Sequence, residues 1–238
     1  MRPLIRPQMN PRHRRVWSYV LMMALMVGCK AQGAEVGETL QVYAASSLRD
    51  VFVDMKDGFL LAHPGADVAL TFAGSQVLRV QIERGAKAHV FASADLMHLR
   101  RLTRGGRTAE ARQFATGELV VITPLQNSAG IERFEQLGQA KRLVIASSGV
   151  PLGGYTRTLL SRAAERLGKN FETRVLSAVV SEENNARLVR AKVELGEADA
   201  AVVYRTDALS SDRVRIVEIP EEINMRTDLV IAALHDAA

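Results

Sequence analysis

The sequence predicts an α/β fold of mostly parallel, buried strands flanked by helices. Two observations carry this expectation. From Leu40 onward short apolar runs alternate with stretches of helical periodicity, and most runs pass into the next helix through a junction of small residues. With 47% of its 238 residues hydrophobic and 24% charged, the chain has material for one large domain or two small ones.

The elements follow in order. "LQVYA" reads as a strand, and Leu48, Phe52, Met55, Phe59 and Ala62 then recur at the spacing of one helix face. "HPGAD" is a turn, "VALTF" a second strand, and "SQVLRVQIERG" a short helix closed by Gly85. "HVFASA" is a third strand, followed by a helix over 95–104. Further strands are expected at 118–123, 142–147, 174–180, 198–204 and 214–219, with helices over 154–167 and 185–195. A changeover between two lobes falls near "TGELVVIT", residues 116–123.

The formal charge of +5 belongs to the first residues. Six of the 31 basic residues lie before residue 31 with no acid among them, leaving 25 basic against 26 acidic residues in the remainder. A polyanionic partner such as nucleic acid therefore loses its support. Arg-rich residues 2–15 precede "VWSYVLMMALMVG", which has the length of a signal-peptide core and is too short to span a bilayer. Residues 1–34 are read as an export leader that takes no part in the fold. Small residues before Cys29, the only cysteine, resemble a lipoprotein processing site, while cleavage after Gly33 is the alternative.

Catalytic apparatus is not legible. No G-x-S-x-G elbow, Walker lysine loop, G-x-G-x-x-G or H-x-x-x-H pattern occurs, and Asp95 with His98 reads as a solvated helix face. The junctions "YAASSL", "FAGSQV" and "ASSGVPLGGY" instead supply neutral hydrogen-bond donors, and "SEENNARL" opens another helix. The first N–H groups of a helix lack intrahelical partners and carry partial positive charge, so small residues there let an oxyanion approach. A serine at a helix start is, however, most often a simple N-cap. Ser46 or Ser47, together with Ser75, gain meaning only as a set.

Four segments, "VYAASSLRDVF", "FAGSQVLRVQIERGAKAHVFASAD", "GVPLGGYTRTLL" and "GEADAAVVYRTDA", resemble in order and spacing the periplasmic molybdate-binding proteins of ABC importers. The resemblance runs over residues 40–234. It implies a two-lobed type II periplasmic-binding-protein fold with a ligand cleft between the lobes: 38–117 plus 223–238 as lobe I and 118–222 as lobe II. It further implies capture of molybdate or tungstate by hydroxyl and backbone N–H donors at Ser47, Ser75, Leu152, Ala186 and Tyr204. No cofactor is implied beyond that ligand. The implied protein is not an enzyme; it is a periplasmic monomer, with a possible lipid anchor at Cys29, delivering to permease and ATPase subunits. Asp95 and Arg205 match common family positions and are read as loop braces. Leu152 stands where the family has alanine and His89 where it has aspartate. Family members also continue beyond "LVIAALHDAA" with a strand-to-helix unit, so lobe I is expected to expose apolar surface. The alternatives are a ligand-poor sensor or lipoprotein of the same fold, a binder of another tetrahedral oxyanion such as sulfate, and a serine hydrolase.

Overall fold

The computed structural model describes residues 38–235; the expected leader and Cys29 lie outside them. The first three apolar runs form β1 (Leu40–Ala45), β2 (Val68–Ala73) and β3 (Val90–Ser93), which pair in parallel with β1 in the middle. Parallel pairing requires a crossover between strands, and α1 (Arg49–Ala62) and α2 (Ser75–Glu83) supply it. Gly85 ends α2 with a φ of +90°, a conformation that only glycine adopts cheaply. Next, α3 (Leu96–Arg104) leads into β4 (Arg112–Pro124).

The second set begins with β5 (Leu143–Ala146), α4 (Pro151–Leu167), α5 (Asn170–Ser177) and β6 (Val179–Glu183). It continues through α6 (Ala186–Glu194), β7 (Ala200–Tyr204), α7 (Arg205–Leu209) and β8 (Val214–Val217) to β9 (Arg226–Ala233). Here β5 pairs in parallel with β6 and β7. The strand order is β2-β1-β3-β9-β4-β7-β5-β6, with β8 on β4. Two parallel cores are thus joined by the antiparallel strands β4 and β9. Within β4, Arg112–Glu118 pairs with β9, whereas from Leu119 onward the same strand pairs with β7 and β8.

Three expectations change. Residues 174–177 do not begin a strand; they end α5, and the strand starts at Val179. The apolar stripe of α1 is only partly buried: Phe52 is inside, but Met55 is 53% and Phe59 39% exposed. Phe114 of β4 sets its ring edge-on to Phe52 at 6.2 Å and is itself partly exposed. The third is the Asp95–His98 pair, which is not solvated: the residues are 9% and 2% exposed. A polar pair at i, i+3 looks like surface in the sequence, but tertiary packing covers it. Among the described residues no helix is long and apolar enough to cross a membrane.

Candidate ligand-binding site

Every strand-to-helix handover in the two parallel cores points toward the region where the cores meet. There the ends of β1, β2, β3 and β7 and the helix starts at Pro151 and Ala186 surround a narrow hollow. Its lining includes Ser46, Ser47, Ser75, Leu152, Ala186 and Tyr204. All five residues expected to hold a ligand inside the fold therefore share one cavity, together with Ser46. Gly74, Ala94 and Val150 also line it and were not singled out from the sequence. Gly74 and Val150 belong to the small-residue junctions, whereas Ala94 ends the expected strand "HVFASA". Larger depressions lie elsewhere, such as the one beside Glu118, Arg205 and Arg226, which the Arg205–Glu118 ion pair edges.

The serines are not N-caps. Ala45 caps the 3-10 turn Ser46–Leu48 and Gly74 caps α2, both without a side-chain cap bond. Ser75 is the first residue of α2, and its oxygen accepts the Ala94 N–H at 3.1 Å. An oxygen that is accepting there leaves its own O–H to donate elsewhere. Leu152 lies in the first turn of the 17-residue α4, behind Pro151, with its side chain fully buried in the core. As a residue of the first turn, Leu152 keeps its N–H among the helix's donors that have no intrahelical partner. Gly153 makes this tight start possible, because a Cβ there would lie 2.1 Å from the Ser147 carbonyl oxygen. At α6 the Asn185 side chain caps the Leu188 N–H at 3.0 Å, which leaves the Ala186 N–H uncapped.

Tyr204 ends β7 and is 3% exposed, and its hydroxyl has no hydrogen-bond partner among the described residues. Burial, with smaller contributions from Tyr155, Asp207 and Asp95, pushes its pKa well above the usual tyrosine value, so it stays a donor. Tyr155 packs edge-on against it at 6.5 Å and accepts the Asp228 N–H at 3.3 Å. Among the described residues no lysine or arginine lines the hollow. His89 and His98 are committed elsewhere. His89 accepts the Gln41 N–H, and His98 bonds the Gly149 carbonyl and accepts from Arg79. Asp95 caps α3 by accepting the His98 N–H at 3.0 Å, and Arg205 forks onto Glu118 and Glu218. Both are braces rather than walls.

A family model described as bacterial extracellular solute-binding protein matches residues 40–238. The chain belongs to that family. Its members bind solutes and are not enzymes. The molybdate-binding protein ModA of Mycobacterium tuberculosis is 34% identical over 206 residues, covering 85% of this chain and 74% of the relative. ModA of Escherichia coli is 30% identical over 205 residues, covering 82% and 77%. Among solved structures, the periplasmic molybdate-binding protein of Azotobacter vinelandii superposes with a TM-score of 0.69 at 18% identity, covering 82% of this chain and 85% of that one. The sulfate-binding protein SubI of Mycobacterium tuberculosis gives 0.72 at 13% identity, covering 84% and 76%. At such identities the two superpositions establish the shared fold of this solute-binding family.

Proposed function

We propose that this solute-binding protein captures molybdate or tungstate outside the cytoplasmic membrane and hands it to the permease and ATPase of an ABC importer. In this reading residues 38–117 with 223–238 act as one lobe and 118–222 as the other, closing on the anion. Ser47, Ser75 and Tyr204 donate hydroxyl hydrogens, and Leu152 and Ala186 donate backbone N–H groups at helix starts, where the helix dipole favours negative charge. Export by residues 1–34, with or without acylation at Cys29, and a monomeric state complete the proposal.

The observation that carries it is the Tyr204 hydroxyl: buried, protonated, unpartnered among the described residues, and on the wall of the hollow that the serines line. A buried hydroxyl without a partner costs stability, so a donor kept in that condition makes sense where a guest supplies the acceptor. The ModA relatives at 34% and 30% identity support the choice of oxyanion. Discrimination against sulfate would rest on cavity size, since donors spaced for the larger anion leave the smaller one poorly bonded. Thermal unfolding of the chain without its leader, titrated with each anion, tests this. An anion present at a hundred times its Kd stabilises by about 2.7 kcal/mol. Molybdate and tungstate should raise the melting temperature. A rise with sulfate alone would reassign the ligand, and no rise with any tetrahedral oxyanion would favour a ligand-poor sensor.

A further inference from the structure

The loops that carry the candidate donors are tied to each other across the hollow, and the tying residues adjoin the donors in sequence. Arg187 follows Ala186; its Nε donates to the Ser46 carbonyl at 2.9 Å and its Nη2 to the Asp50 carboxylate at 2.5 Å. Gln76 follows Ser75 and donates through Nε2 to the Asn184 carbonyl at 2.8 Å. His98 reaches the carbonyl of Gly149, just before the α4 mouth, at 2.9 Å. A carbonyl can only accept, so the His98 proton sits on Nε2, and Nδ1 is left to accept from Arg79 at 3.3 Å. The bonds from Arg187, from Gln76 and from His98 to Gly149 each join an element of the β1–β3 core to an element of the β5–β7 core. Gly74 adds an independent sign of contact: a Cβ there would lie 2.5 Å from the Asn184 carbonyl oxygen, so the two walls meet backbone to backbone.

We infer that Arg187, Gln76 and His98 are positioning residues that latch the two walls together over the bound anion and set how long it stays. The inference rests on the oxyanion-binding reading above. None of the three side chains is among the residues that wall the hollow, so their removal leaves the candidate donors intact. What it removes is the connection that keeps donors from opposite walls converged. The same ties draw the walls together in the empty protein, but a seated anion can leave only when they part, so their loss should appear mainly in departure.

The test uses the chain without its leader and radiolabelled molybdate chased by excess unlabelled anion. Arg187→Ala loses a charge-assisted bond and should speed dissociation about 10-fold. Gln76→Ala should give a smaller change in the same direction. For both, the association rate should stay within about twofold of the parent. Gly74→Ala wedges the contact apart without removing a polar group, and small-angle scattering of the anion-free variant should report a larger radius of gyration. Unchanged dissociation rates in Arg187→Ala and Gln76→Ala, or an association rate that falls as much as dissociation rises, overturns the latch. If the parent retains no molybdate, the functional reading fails; the scattering comparison of Gly74→Ala with the parent then decides the latch by itself, and equal radii overturn it. Should Arg187→Ala melt early, Gln76→Ala and Gly74→Ala carry the comparison.

Discussion

Replacing Tyr204 by phenylalanine should move stability and affinity in opposite directions, a combination that an ordinary core substitution does not produce. The hydroxyl is buried and has no partner among the described residues. An unsatisfied buried group costs about 1–3 kcal/mol, so its deletion should stabilise the anion-free protein by about 1 kcal/mol. For a domain of this size that amounts to roughly 2–4 °C in melting temperature. The same deletion withdraws a hydrogen bond to a charged guest, worth about 1.5–3 kcal/mol. Converted to affinity, this weakens binding roughly 10- to 150-fold. Urea unfolding without anion measures the first effect, and calorimetric titration with molybdate the second. A Tyr204→Phe variant that is less stable when empty, yet binds molybdate as tightly as the parent, would refute the reasoning.

Other substitutions should behave differently. Ser75→Ala removes both the candidate donor and the acceptor of the Ala94 N–H. Affinity and anion-free stability should therefore both fall, the latter by about 1–3 kcal/mol in urea unfolding. Asp207 is buried with neither carboxylate oxygen bonded among the described residues, and burial outweighs the nearby Arg190 and Arg187 to push its pKa up to about 6. A carboxyl whose pKa is raised by folding contributes stability at low pH and loses it as pH climbs through the folded value. Between about pH 4 and pH 6 the wild type should lose about 2 kcal/mol from this group, a loss that Asp207→Asn should abolish. Subtracting the two urea-derived stability curves isolates this group from carboxylates such as Asp199 and Glu218, which arginine partners hold low. A flat difference would refute it.

How far the sequence reaches depends on where each signal originates. Strands buried on both faces, such as β5 and β7, were legible because continuous apolar runs mark them. The first part of β4, "RQFATG", was not, since its residues are largely exposed and only pairing with β9 makes them a strand. Nor was β9, which opens on Arg226, Thr227 and Asp228 and owes its place to two neighbours distant in sequence. The end of α5 misled for the opposite reason: "RVLSAVV" has strand composition, but the α5 turn continues to Ser177 before the chain extends. At the hollow, Ser47 and Ser75 were readable from small-residue junctions, whereas Leu152, Ala186 and Tyr204 came from family resemblance. The ties by Arg187, Gln76 and His98 had no sequence signature, because each ends on a backbone carbonyl whose position only the folded chain defines.

The residues of the hollow run from Ala45 to Tyr204, and no single supersecondary unit supplies more than a few of them. A chain still being threaded or half collapsed therefore owns no partial receptor. Recognition appears only when the long-range strand pairings close, among the slowest events in folding. It follows that an occupied hollow guards the entire topology at once. A protease cutting at either end of the molecule should be slowed by the same factor when the guest is present, provided that cleavage waits on global opening.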